Sequence, residues 1–202
     1  MGRSRPTVVE DSRIGGTVEC VSGELDERVV VSAYDDSWPD RFEREKERLL
    51  GDLEDAVLAI EHIGSTAVPG LDAKPIVDVL IGVAGPPGSR AIIDRVRALG
   101  YESFGEAGVP GRLYFRRRLP DAAFNVHVVE RESTLWCDNL LLRDYLRTHP
   151  KDAAEYAAAK RRAASAAPDS LLQYSKLKSP ALDVLLIRAR KTPSAPHPSD
   201  QR

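Results

Sequence analysis

The densest chemistry in the chain lies in Glu61-His62-Ile63-Gly64-Ser65-Thr66-Ala67-Val68-Pro69-Gly70-Leu71-Asp72-Ala73-Lys74-Pro75-Ile76-Val77-Asp78. An apolar run ends at Ile63, and Gly64 permits a sharp bend with close backbone approach. Ser65 adds a hydroxyl and a backbone N–H. A helical turn opening at Thr66 would aim its orphan N–H groups at the same place, and such a bend cradles a phosphate. Asp78 then interrupts the otherwise apolar run Pro75 to Val83. A lone carboxylate in a buried strand is costly unless it is paired, hydrogen-bonded or bound to a cation. Taken together, bend and acid suit nucleotidyl transfer. The bend would hold the phosphates of a nucleoside triphosphate (NTP) co-substrate. The acid would hold Mg2+, a hard cation that shares oxygen ligands with phosphate and positions it for in-line attack. Taken singly, Gly64-Ser65 also fits a plain turn and Asp78 a structural hydrogen-bonding group.

Other polar residues could complete such a site. In Phe124 to Glu130, Phe124, Val126 and Val128 fall on one face and Asn125, His127 and Val129 on the other. His127 could ligate a metal through its imidazole or act as a general base, with a hydrogen-bonded structural histidine as the alternative. Lys74 is close in sequence to the bend and could reach a phosphate as a point charge. Arg112 follows the loop Gly108 to Gly111 and suits a substrate contact, whereas Arg116, Arg117 and Arg118 suit an edge strand protected by charge. Arg143 and Arg147 stand one helical turn apart, as do Tyr174 and Lys178. The arginines could close over a ligand or tie helices together by ion pairs, and Lys178 could reach the cleft. Only one of Glu61 and His62 can face that cleft, because adjacent strand residues point opposite ways.

The elements that must position these groups follow from patterning. Short strands are expected at Val29–Ala33 and Val57–Ile63, and a buried strand at Pro75–Val83. Leu113–Arg118 and Phe124–Glu130 read as antiparallel strands joined around Pro120-Asp121. Helices are expected at Ser37–Leu53, after Ser89 up to Gly100, at Asn139–Thr148, and from Pro150 to about Ala167. Ser170–Lys178 and Pro180–Lys191 read as two further helices, reset at Ser179-Pro180. The fold class is therefore α+β. Residues 1–25 are expected to form a flexible arm, 26–191 a single domain with a sheet part (26–137) and a helical part (138–191), and 192–202 a disordered tail.

The 202 residues suffice for one domain with a full core, and 42% hydrophobic with 30% charged residues is a globular balance. Two distant cysteines, Cys20 and Cys137, exclude a disulfide framework. A formal charge of −2 gives no reason to expect long nucleic acid or a membrane surface as partner. No apolar run approaches membrane-spanning length and no secretory signal is evident, so a cytoplasmic location is expected.

The segment His62 to Asp78 closely resembles the hallmark of the GrpB family. The resemblance continues through Phe124-Asn125-Val126-His127-Val128-Val129-Glu130, Leu142-Arg143-Asp144-Tyr145-Leu146-Arg147, Tyr156 to Lys160 and Tyr174 to Lys178, and covers roughly Val29 to Lys191. It implies a nucleotidyltransferase-superfamily fold: a mixed β-sheet flanked by helices, then a C-terminal helical portion. It also implies a mostly uncharacterised family, sometimes fused to dephospho-CoA kinase. Working nucleotidyltransferases generally present Asp-x-Asp or Asp-x-Glu, because residues i and i+2 share a strand face and can hold one pair of metals. Here Leu80 takes the second acid's place, as the family at large also implies, and Asn125 stands where relatives favour a second histidine.

Two functions are therefore expected from different classes. The first is a nucleotidyltransferase moving a nucleoside monophosphate from an NTP to a small acceptor. It would use Asp78 and His127 as catalytic and metal-binding groups, with Gly64, Ser65, Thr66, Lys74, Arg112, Asn125, Arg143 and Lys178 binding substrate. The second is a non-catalytic nucleotide- or coenzyme-binding regulatory module, favoured by Leu80.

Overall fold

The computed structural model describes residues 26–192 apart from Glu54. The expected arm over 1–25 and all of the expected tail except Thr192 lie outside the described residues. Helix α1 (Trp38–Leu53) turns Trp38, Phe42, Glu45, Leu49 and Leu53 inward, a spacing of three and four residues that makes one apolar stripe. Strand β1 (Ala59–Ile63), a single 3-10 turn (Ser65–Ala67) and strand β2 (Val77–Val83) follow. Helix α2 (Arg90–Ala98) leads to a two-residue strand β3 (Glu102–Ser103), then β4 (Arg112–Arg118) and β5 (Ala123–Glu130). Helices α3 (Thr134–Thr148), α4 (Pro150–Ala166) and α5 (Leu171–Lys191) complete the chain.

The strands form one mixed sheet in the order β1-β2-β5-β4-β3, in which only β2 and β5 run parallel. Register places Asp78 opposite both Ile63 and Asn125, and His127 opposite both Leu80 and Tyr114. Alternation then sorts the side chains between two faces. Val77, Val79, Ile81, Leu113, Phe115, Phe124, Val126 and Val128 form the main core with α1 and α2. The other face carries Asp78, Asn125, His127, Arg112 and Tyr114, with Leu80 packed among Ile63, Val129 and Trp136 of α3. A sheet with one greasy and one polar face, the polar one roofed by helices, produces a cleft.

Four expectations need correction. Val29–Ala33 is not a strand: Val29 donates to Pro168 and only Ser32 bridges to Ala73, so no neighbour runs alongside it. Arg116 is not on an edge, because β3 pairs with Phe115 and Arg116, and Arg116 is buried, donating to the Tyr114 hydroxyl at 3.0 Å; the two-residue β3 does not reach Arg117 or Arg118. Helix α3 begins at Thr134 rather than Asn139, with Ser133 capping the Trp136 N–H. Helix α5 runs unbroken through Pro180. Buried anchors on both sides of the proline, Leu171 and Tyr174 before it and Leu185 and Ala189 after it, hold one continuous helix against its local cost.

Candidate functional site

The bend after β1 and the acid on β2 meet. Gly64 adopts φ 70° and ψ −168°, a conformation essentially reserved for glycine. A Cβ at this position would stand 2.5 Å from Asp78 Oδ2. The close approach that Gly64 allows is therefore to the carboxylate. Asp78 Oδ1 accepts the Asn125 amide at 2.7 Å and faces His127 Nε2 at 3.4 Å. Burial would raise the Asp78 carboxyl, but His127, Asn125 and Lys74 outweigh it and hold the group at about 2. Arg112 Nη1 lies 3.4 Å from His127 Nδ1, so both ring nitrogens already face a partner. Arg112 also donates to the carbonyls of Glu106 and Ala107, pinning the loop before β4, and its buried Nε has no partner.

Helix α4 closes the other side. Lys160 is 1% exposed and its Nζ donates to Ser65 Oγ at 2.8 Å and to the Asp72 carbonyl. Burial, with the nearby charge of Lys178, drives this amine down to about 7. Burial and Lys178 likewise lower Lys74 to about 8. Both Lys74 and Lys178 approach the Tyr174 ring, with Nζ 5.6 Å and 5.2 Å from its centroid.

These groups line a cavity of about 290 Å³. Of the residues expected to bind substrate or metal, Gly64, Ser65, Thr66, Lys74, Asp78, Arg112, His127, Arg143 and Lys178 lie on its wall. Asn125 does not: it sits behind Asp78, between that carboxylate and Arg118. The Thr66 hydroxyl is 3.0 Å from His62 Nε2, and that imidazole stacks on Phe42 in the opposite core. Burial lowers His62 to about 4, so it serves as a neutral structural group. Arg143 donates to Glu61 and Asp144 at 2.7 Å each, which ties α3 to β1 while leaving part of the residue on the cavity wall. Among the described residues five lysine or arginine side chains and one carboxylate line the cavity. Tyr156, Lys160 and Tyr174 belong to the wall as well. The sequence signal for Tyr156 and Lys160 is their spacing of one turn on an alanine-rich helix, where small neighbours let the backbone come close.

The donor set is a poor match to magnesium. Among the described residues Asp78 is the cavity's one carboxylate, Oδ1 is engaged, and Oδ2 faces the Gly64 backbone. Leu80, where a second acid would stand, is sealed in apolar packing. Among the described residues no three His, Cys, Asp or Glu side chains cluster as a metal site. Also among them, no helix is long and apolar enough to cross a membrane.

Known proteins share this architecture. A family model described as "GrpB protein" matches residues 28–188. The UPF0157 protein YqkA of Bacillus subtilis is 40% identical over 147 residues, covering 73% of this chain and 43% of that protein, so the chain spans less than half of that relative. The UPF0157 protein SCO7215 of Streptomyces coelicolor is 36% identical over 189 residues, 94% of each chain. The crystal structure of conserved protein GrpB from Enterococcus faecalis superposes with a TM-score of 0.72 at 35% identity, covering 80% of this chain and 98% of that one. With the match spanning bend, acid, polar strand and all three closing helices, the chain belongs to the GrpB family.

Proposed function

We propose that this chain binds a nucleotide, or a comparably phosphorylated small molecule, in the cleft between the polar sheet face and helices α3–α5, as a binding or regulatory module. The observation that carries this is the charge of the wall: Lys74, Arg112, Arg143, Lys160 and Lys178 against Asp78 alone. Arg143 is compensated by Glu61 and Asp144, but Lys74, Arg112, Lys160 and Lys178 have no carboxylate within 4 Å among the described residues. Cations gathered in a partly desolvated cavity repel one another, and a bound polyanion relieves this. A volume of about 290 Å³ suits a small molecule rather than a polymer.

The test is thermal denaturation with a panel of nucleoside mono-, di- and triphosphates, coenzyme A and inorganic phosphate. Phosphorylated ligands should raise the midpoint in a concentration-dependent way, and the matching nucleosides should not. A midpoint that ignores the whole panel removes the proposal.

One observation favours the other class of function, transfer of a nucleoside monophosphate to a small acceptor. The Gly64-Ser65 bend and Asp78 line the same cavity, the neighbourhood that transfer would use. Pyrophosphate release from an NTP, supported by magnesium and abolished in Asp78→Asn, would decide for transfer. Saturable binding without release would decide for the module.

A further inference from the structure

Three lysines reach the same end of the cleft from three places in the chain. Lys74 stands just before β2, Lys160 on α4 and Lys178 on α5. Two tyrosine rings organise them. Lys74 and Lys178 both approach Tyr174, and Lys160 Nζ lies 4.8 Å from the centroid of Tyr156. Ser65 Oγ, bonded to Lys160, lies on the same wall. None of the three amines has a carboxylate within 4 Å among the described residues. The acid on the wall is Asp78, and its Oδ1 already faces Asn125 and His127.

A chelated magnesium would have to enter this field. Magnesium demands near-octahedral oxygen ligation and is usually held by one or two carboxylates together with substrate phosphates. Here it would find one carboxylate oxygen, turned toward a glycine backbone, and repulsion from the ammonium groups around it. His127 offers no spare nitrogen, because Arg112 and Asp78 face its two ring positions. Leu80 offers nothing. Ammonium groups can do the neutralising part of a metal's work: each donates charge-assisted hydrogen bonds to phosphate oxygens at a fixed position.

We infer that the lysine end of the cleft takes the di- or triphosphate group of its ligand as the free anion, with Lys74 and Lys178 supplying the charge that a divalent cation supplies in metal-dependent sites and Lys160 holding the Ser65 hydroxyl in place. This rests on the phosphorylated-ligand function proposed above, and it deepens it by naming the form of the ligand and the groups that hold it.

The test is calorimetric binding of tripolyphosphate and of the common ribonucleoside triphosphates, once in EDTA and once in excess magnesium. The wild type should bind in EDTA, and magnesium should weaken binding by competing for the anion. Lys74→Ala and Lys178→Ala should each lose about tenfold or more in affinity, the effect of one charge-assisted hydrogen bond. Their urea midpoints, measured in parallel, should stay close to wild type because Lys74 and Lys178 have no ion pair to lose. Asp78→Asn should bind more tightly than wild type, because it removes a negative charge from the wall. Binding seen only with magnesium, lost in Asp78→Asn and unchanged in both lysine variants, would overturn this inference and leave the ligand class standing. Absence of binding by every probe in both conditions would overturn the ligand class and this inference together.

Discussion

Replacing Gly64 by alanine probes the junction on which the cleft depends. Holding an L-residue at φ 70°, ψ −168° costs on the order of 1–3 kcal/mol. The added methyl would also stand 2.5 Å from Asp78 Oδ2, well inside van der Waals contact. Relief requires Asp78 to turn away from Asn125 and His127, giving up a charge-assisted hydrogen bond worth about 1.5–3 kcal/mol. The two effects together predict a loss of roughly 3–5 kcal/mol, a large fraction of the stability of a domain of this size. Urea denaturation followed by the fluorescence of the buried Trp38 and Trp136 reads it directly. Asp78→Ala in the same background separates the causes. With the carboxylate gone, only backbone strain remains, so Gly64→Ala should then cost about 1–3 kcal/mol and the cycle should show coupling of about 1.5–3 kcal/mol. Additivity within about 0.5 kcal/mol would mean that bend and acid do not touch, and the site would lose its geometric basis. A Gly64→Ala protein with unchanged midpoint would refute the left-handed backbone itself.

Other perturbations test the surroundings. Leu80→Asp, which restores the carboxylate pair on paper, should destabilise by about 2–5 kcal/mol from lost burial, with a further charge penalty; a wild-type urea midpoint would refute its sealed position beside Trp136. Lys160 titrates near 7 when folded against 10.5 unfolded, so between those values the unfolded chain binds the extra proton and stability rises with pH. Lys160→Met removes that rise, and wild-type stability relative to the variant should therefore increase from pH 7 to pH 10; a pH-independent difference would contradict a buried, charge-averse amine. Pro180→Ala should raise the thermal midpoint, since an interior helical proline costs about 3 kcal/mol and this one is exposed. An unchanged midpoint would show that α5 is not limited by its missing hydrogen bond.

Much of the fold was legible because its signals are local. The one-face spacing of Phe42, Leu49 and Leu53, the apolar run Val77–Val83 and the alternation Phe124–Glu130 each follow from a single element's period. The departures share a cause. Val29–Ala33 has strand-like residues but no partner strand, Arg116 has edge-like charge but acquires β3 as a neighbour, and Pro180 has a break signal overruled by packing on both sides. Partners distant in sequence decide such cases, and composition does not encode them locally.

In the site the division is similar. Gly64, Ser65, Asp78 and His127 could be singled out by type and position, because a bend residue, a hydroxyl and polar groups on apolar strands are conspicuous against their surroundings. What those groups do to one another was fixed only when β2 and β5 paired in register and α4 and α5 packed over the polar face. That packing aims Gly64 at Asp78, places Asn125 behind the acid instead of on the wall, and brings Lys160 95 residues along the chain to Ser65. The sequence determined which side chains have unusual chemistry. The tertiary structure decided their electrostatic company, since Coulomb energy and desolvation depend on distances through space that no local pattern contains.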